Sequence, residues 1–372
     1  MSKVEDVIRF YRGIFHNLGL WPIGSLKKWH YRSSIFVFLI FLIFPFVMCS
    51  LSLLQVQSIE TFALATMHIV GLAYCVFIVV SFYVYVPKIE KFLMELCETV
   101  SEDDDAQTFI DEASVKALKV TKLVLFCEIL AANFASSVIP LAFGCLPFPM
   151  WTPDWANSTV IFGIYWIIEW LTFNYVCQVV NIFFFSFAIL VIINGYGKFL
   201  NVRLSMLVST KNHDGYKDLV KCIVAHQKFK KMIDDFKEIW GAMIGILYKI
   251  IVIIIGTCIF NITKGEHKLT FRENLMFYIY IAAMVLYIYV PSYFGDMIYS
   301  TSSQFSYDLF SSDWVDADMK HKKAMIIVME NMKQTVKLSI LFYDSLNLQL
   351  FQDTVNDGYL MYSAFQNLKK NY

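Results

Sequence analysis

Residues 160–195 read VIFGIYWIIEWLTFNYVCQVVNIFFFSFAILVIING and carry a single charge, Glu169. A membrane-spanning helix needs about 20 mainly apolar residues at 1.5 Å rise each. This run exceeds one crossing, so its helix must tilt or continue into water. Working outward, the same test finds six more spans at roughly 34–54, 62–86, 120–143, 239–260, 273–292 and 346–368. The fold class expected is all-α, a seven-transmembrane-helix membrane protein. The seventh span is the polar one, interrupted by Asn347, Gln349, Gln352, Asp353, Asn356 and Asp357. Lipid penalises such a row, so that helix must face protein or water.

Composition supports the class. The 372 residues are 58% apolar and 17% aromatic, and 17% are charged, against about 25% charged in soluble domains. Net charge is zero, so no basic field points to nucleic acid. The eight cysteines are scattered, mostly in apolar runs, with no CxxC or Cys/His cluster. No metal, disulfide framework or cofactor is expected, and the thiols read as small buried apolar groups. No phosphate-cradling glycine loop, HExxH or nucleophile setting occurs, which argues against an enzyme.

Lysine and arginine set the orientation. With the N-terminus inside, the segments 1–33, 87–122, 196–238 and 293–345 carry 25 of the 31 basic residues. The outer segments carry five, and Lys249 lies within a span. The N-terminus is therefore expected in the cytoplasm and the C-terminus outside. Two Asn-x-Ser/Thr sequons, at Asn157 and Asn261, fall in the expected outer loops and are candidate glycosylation sites. Seven-helix G-protein-coupled receptors have the opposite orientation, and no DRY or NPxxY pattern stands at a helix end.

The division that follows is a cytoplasmic N-terminal segment (1–33), four helices (34–195), a cytoplasmic helical extension (196–238), two helices (239–292), a second cytoplasmic segment (293–345) and a final helix (346–372). Leu219, Ile223, His226, Phe229, Ile233, Phe236 and Trp240 recur at three- and four-residue steps, one face of a helix. Ala324, Met325, Val328, Met332 and Val336 repeat the pattern. These stripes need partners, either in the same chain or in another subunit.

Several polar residues lie inside apolar spans: His68, Asn133, Ser136, Ser137, Glu169, Thr172, Asn174 and Lys249. Ionisable groups there are functional candidates by default. Glu169 and Lys249 reach similar depths, and either form a buried pair, share a polar cavity or each reach water alone. Aromatics crowd the outer halves of helices two to six, including Tyr74, Tyr165, Trp166, Trp170, Phe173, Tyr278 and Tyr280. Most such rings pack or anchor, while a minority can line a cavity for a small apolar ligand. On the seventh helix Leu348, Phe351, Val355, Gly358, Tyr362 and Phe365 form one apolar face. Gln349, Asp353, Asn356 and Asp357 form an acidic, polar one. Either face can line a path for ions, and a central pore needs several subunits around an axis.

These features resemble the insect odorant receptors along nearly the whole chain. Leu18-Gly19-Leu20-Trp21-Pro22 is similar to the family's segment before the first span. Leu146 to Pro153 resembles its Pro/Trp-rich outer loop, followed by Tyr165, Glu169 and Gln178. Val336-Lys337-Leu338-Ser339, Phe342, Leu346-Asn347-Leu348-Gln349, Phe351, Val355 and Tyr359 match its C-terminal signature in order. The family's closing Ser-Tyr-Ser-x-Phe reads Gly358-Tyr359-Leu360-Met361-Tyr362 here. Gustatory receptors, which end differently, are the less similar relatives.

The resemblance implies an odorant-tuning subunit of a heterotetrameric, non-selective cation channel. The resemblance implies that the channel also contains a shared co-receptor subunit and is opened by a small volatile apolar or aromatic odorant. It implies a cytoplasmic anchor helix near 317–335, a pore-lining helix at 346–368 and a plasma membrane location in sensory neuron dendrites. The pocket expected on this basis draws on Thr66, Ile69, Val70 and Tyr74, on Asn133 and Ser137, on Trp166, Glu169, Trp170 and Phe173, and on Tyr278 and Ile281. The gate expected from motif position is Val355, Gly358, Tyr362 and Phe365, with Asp353 and Asp357 as an acidic face. A membrane transporter is the alternative class, although no internal repeat supports it.

Overall fold

A computed structural model describes residues 3–21, 36–56, 58–101, 104–133, 137, 151, 159–207, 214–264, 271–315 and 317–371. All the elements described there are helical, apart from one isolated bridge between Ile340 and Tyr343. In chain order they are α1 (Lys3–Asn17), α2 (Phe36–Gln55), α3 (Ile59–Ser101), α4 (Asp104–Asn133) and α5 (Thr159–Ser205). They continue with α6 (Asp214–Lys264), α7 (Phe271–Phe310), α8 (Met319–Met332) and α9 (Leu348–Asn371).

Among the described residues five helices are long and apolar enough to cross a membrane: α2, α3, α5, α6 and α7. The third expected span is described to Asn133 and at Ser137, and the rest of its expected run to 143 lies outside the described residues. The seventh, α9, is too polar to qualify, in keeping with its row of amides and acids. Helices α3, α5, α6 and α7 run 43, 47, 51 and 40 residues. At 1.5 Å per residue that is about 60–75 Å, twice the hydrocarbon thickness. Pro87 and Pro291 lie inside α3 and α7 near the expected span ends, each removing one backbone hydrogen bond. In α2 the stretch Leu39–Ile43 is π-helical, and the Phe44 N–H reaches back to the Leu39 carbonyl. Pro45 follows at once; its ring and missing N–H are what disturb the α register there.

The extensions and α1 build one pole of the molecule. Helix α1 buries Val4, Val7, Ile8, Tyr11 and Phe15, a single stripe. It stops in a Schellman turn: Gly19 has φ 68, the Leu20 N–H bonds Phe15 O at 2.8 Å and the Gly19 N–H bonds His16 O at 2.9 Å. That turn swings Trp21 back onto Phe15. Both then pack against Phe82 of α3 and Phe185 of α5. The Tyr11 hydroxyl meets Thr121 of α4 at 2.9 Å, and burial pushes its pKa above the usual phenol range.

Both amphipathic stripes find partners within the chain. Leu219, Phe229, Ile233, Phe236 and Trp240 are buried, and Phe229 and His226 meet Phe305 of α7 edge-on. Helix α8 is capped by Asp318, which accepts from the His321 N–H. It buries Met325 and Met332 while Ile326 and Ile327 stay 55% and 63% exposed. Ion pairs Lys88–Glu238 and Lys231–Glu95 tie α3 to α6 on the surface, where such pairs add little. Of the thiols expected to be buried, Cys49, Cys75 and Cys258 are, whereas Cys127 lies on the outer side of α4.

The connector between α8 and α9 is wedged between α6 and α7. It makes a tight turn in which Ile340 and Tyr343 exchange two 3.0 Å backbone hydrogen bonds. Phe342 takes φ 72 there, a left-handed conformation costly for a non-glycine residue. Leu338, Ile340 and Leu346 are buried. The turn fits because two helices present glycine. A Cβ on Gly245 would lie 2.9 Å from the Leu341 carbonyl carbon, and one on Gly295 would lie 2.9 Å from that of Leu346. The carbonyl oxygens would be closer still. Asn347 then caps α9, accepting from the Leu350 N–H at 2.9 Å.

Candidate functional site: an apolar cavity between five helices

An internal cavity of about 250 Å³ lies between α3, α4, α5, α6 and α7, in the half of the bundle away from α1. Each long wall is one helix face at three- and four-residue spacing. Helix α3 gives Met67, His68, Gly71, Leu72, Tyr74 and Cys75; α5 gives Phe173, Val176, Cys177, Val180 and Phe183. Helix α6 gives Leu247, Ile250, Ile251 and Ile254, and α7 gives Ile279, Tyr280, Ala283, Met284 and Tyr287. From α4, among the described residues, only Glu128 reaches it.

The polar groups on this wall are few, and most are committed. The Tyr74 hydroxyl donates to the Met243 carbonyl at 2.9 Å, tying α3 to α6. Its ring stacks on Phe183 with centroids 5.8 Å apart. His68 Nδ1 lies 2.9 Å from Leu64 O; a carbonyl only accepts, so that nitrogen carries the proton. The Tyr287 hydroxyl donates to Glu128 Oε1 at 2.5 Å. Just below the cavity, Tyr248 of α6 bonds Ile288 O and Ser292 of α7. What remains is an oily chamber of ligand size, suited to shape selection with one or two hydrogen bonds.

The sequence-expected pocket residues separate into three groups. Tyr74 and Phe173 line the cavity. Asn133 and Trp170 instead form a hydrogen-bonded cluster between α4 and α5. Trp170 Nε1 donates to Asn133 Oδ1 at 3.2 Å, and Asn133 Nδ2 reaches Asn174 Oδ1 at 3.4 Å. Thr66, Ile69, Val70, Ser137, Trp166 and Ile281 do not border the cavity, and Ile281 packs near Met67 and Ile254. Tyr278 is 54% exposed on the outside of α7, and Tyr280, two residues on, lines the wall in its place. Glu169 is fully buried and lies towards Cys49 of α2, away from the cavity.

The considered Glu169–Lys249 pair does not form. Lys249 is on an exposed face of α6, its ammonium 4.9 Å from the Tyr343 ring centre. The two residues share a depth but point to different sides of the bundle. Glu128 was overlooked by sequence reasoning. Its signal was a lone acid in the apolar run Leu123-Val-Leu-Phe-Cys-Glu128-Ile-Leu-Ala-Ala.

Helix α9 turns one face to α6. Leu350, Thr354, Gly358 and Phe365 are buried. Gly358 and Gly256 meet closely: a Cβ on Gly358 would lie 2.9 Å from Ile255 Cγ2, and one on Gly256 would lie 3.0 Å from Gly358 O. Phe365 meets Phe260 at a tilt, ring centres 5.4 Å apart, beside Ala63. Val355 and Tyr362 are partly buried against the same chain. The expected gate residues thus largely face inward within one chain. Asp353, Asn356, Asp357 and Leu360 face outward. Of the two sequons, Asn157 lies outside the described residues. Asn261 is inside α6, 7% exposed, with its amide donating to Thr257 O at 3.0 Å, so it is not presented as a glycan acceptor.

Comparison with known proteins fits this architecture. The family model described as 7tm Odorant receptor matches residues 58–359. The chain belongs to the odorant receptor family. It is 26% identical over 234 residues to Odorant receptor 23a of Drosophila melanogaster, covering 58% of each chain. It is 21% identical over 220 residues to Odorant receptor 59b of the same fly, covering 57% of this chain and 53% of that one. The chain thus spans little more than half the length of these curated relatives. Odorant receptor 22b matches more broadly, 22% identical over 91% of this chain and 86% of that one. The structure of the insect olfactory receptor OR5 from Machilis hrabei in complex with eugenol superposes with a TM-score of 0.81 at 10% identity. The match covers 98% of both chains. At that identity it establishes the shared fold of the receptor. A receptor of this family is not an enzyme.

Proposed function

We propose that this chain is the odorant-binding subunit of a heteromeric, ligand-gated, non-selective cation channel formed with a shared co-receptor. The observation that carries the reading is the apolar cavity. It is of ligand size, sits among five helices and offers few polar groups. Its occupant is a small volatile apolar or aromatic molecule, held by Tyr74 and Phe173 among others. The comparison structure with eugenol supports a ligand of this size. The basic-residue bias supports an N-terminus in the cytoplasm and a C-terminus outside, in the plasma membrane of sensory neurons.

The channel reading rests on α9. One chain supplies one such helix, so a pore needs several subunits. We place the ion path along its outward face, where Asp353 and Asp357 attract cations. The exposed apolar side of α8 at Ile326 and Ile327 is then a natural contact between subunits. Ligand must bind the open state more tightly than the closed one, because equal affinity shifts nothing.

The test is to co-express the chain with a co-receptor and record currents across an odorant panel. Tyr74→Ala and Phe173→Ala are expected to shift the dose–response by about tenfold or more. Currents evoked through the co-receptor alone should survive. Unchanged curves for both variants would remove the cavity as the ligand site, and saturable, stoichiometric uptake would favour a transporter.

A further inference from the structure

Among the described residues Glu128 is the one carboxyl on the cavity wall, and no lysine or arginine lines it. Its two oxygens are not equivalent. Oε1 accepts the Tyr287 hydroxyl proton at 2.5 Å. Oε2 is buried and has no hydrogen-bond partner. Tyr287 has only one proton to give, and it is used. The Tyr74 hydroxyl is spent on Met243 O, and the His68 Nδ1 proton on Leu64 O. An open carboxyl oxygen on an otherwise apolar wall is costly unless something completes it.

We propose that the cavity selects a small apolar molecule carrying one hydroxyl group, an alcohol or phenol, recognised by Glu128 Oε2. The chemistry narrows the class. An ionised carboxylate needs a donor at Oε2. A protonated one carries its proton on Oε2, since Oε1 is already accepting, and so needs an acceptor there. Esters and ketones satisfy only the second state, and ammonium groups only the first. A hydroxyl donates and accepts, so it completes Glu128 in both. The apolar remainder fills the space between Phe173, Ile250, Ile254 and Met284. The inference rests on the cavity being the ligand site, as proposed above, and adds to it the functional group selected.

The experiment uses the purified full chain in lipid nanodiscs and equilibrium binding titrations. The probes are 1-heptanol, 2-phenylethanol and 3-methylbutanol, each with its methyl ether and a hydrocarbon of matched size. For at least one skeleton the alcohol should bind about tenfold or more tighter than its ether. Glu128→Met keeps the volume and should bring alcohol and ether within about twofold, leaving hydrocarbon affinity unchanged or raised. Should that variant fail to fold, Glu128→Met with Tyr287→Phe removes both partners together, which is close to neutral for stability, and should show the same loss of preference. Equal binding of alcohols and ethers to the native chain overturns the hydroxyl inference and spares the cavity. So does an alcohol preference that survives either variant. Failure of every probe to bind overturns the cavity reading and this inference together.

Discussion

Helices α6 and α7 meet twice along their length, and the two meetings are built in opposite ways. Around Ile250, Ile254, Tyr280 and Met284 they stand apart and enclose a chamber. About one and a half turns along α6 from Ile250, and about three along α7 from Met284, they close at Gly245 and Gly295 on the connector to α9 so tightly that neither has room for a methyl group. The chamber can change its contents at small cost. The glycine seat cannot change shape without moving the connector, because close-packed interiors transmit displacement rather than absorb it. Tyr248, bonded to Ile288 and Ser292, lies between the two regions. The contrast therefore suggests that a ligand acts in the loose region and is felt in the tight one.

The sharpest way to break the tight region is Gly295→Ala or Gly245→Ala. Each puts a Cβ into a backbone carbonyl and should cost about 3 kcal/mol. The expected outcome is a lower melting temperature and poor delivery to the cell surface; melting like the native chain would show that the connector is not seated as described. The loose region should respond in the opposite sense. Ala283→Leu fills part of the cavity and should raise stability by about 1 kcal/mol while abolishing ligand binding. If ligand still binds with native affinity, the chamber is not its site. The smallest effect is expected at the turn itself. Phe342 is 64% exposed with φ 72, so Phe342→Gly should be neutral or stabilising by up to about 1 kcal/mol. A clear loss of stability there would assign its ring a packing role.

Hydrophobic run length and periodicity made the helices legible before any coordinates. The long fourth run became α5, and the stripes at 219–240 and 324–336 became buried faces. Rotation about each helix axis was far less legible. Tyr278 and Tyr280 are equally aromatic, yet only one faces the cavity. Glu169 stood out as a charge among apolar residues, while Glu128, equally lone, was the acid placed at the cavity. On α9 the apolar stripe reads equally well as a pore lining or as a packing face. The glycine pair Gly256–Gly358 is what decides for packing. Such choices depend on partners distant in sequence, which local pattern does not encode.

The docking of α1 has a consequence for how the chain is made. Its anchors are Phe82 on α3 and Phe185 on α5, with Trp240 of α6 packed behind Phe185. Synthesis runs from the N-terminus at about 5–20 residues per second, so α1 and Trp21 exist for many seconds before Phe185 emerges. During that interval the apolar stripe of α1 has only part of its seat, Phe82 and the α4 face at Thr121, to lie on. Helix α1 thus waits for its complete seat, and an amphipathic stripe that can rest meanwhile on the bilayer surface is well suited to the delay.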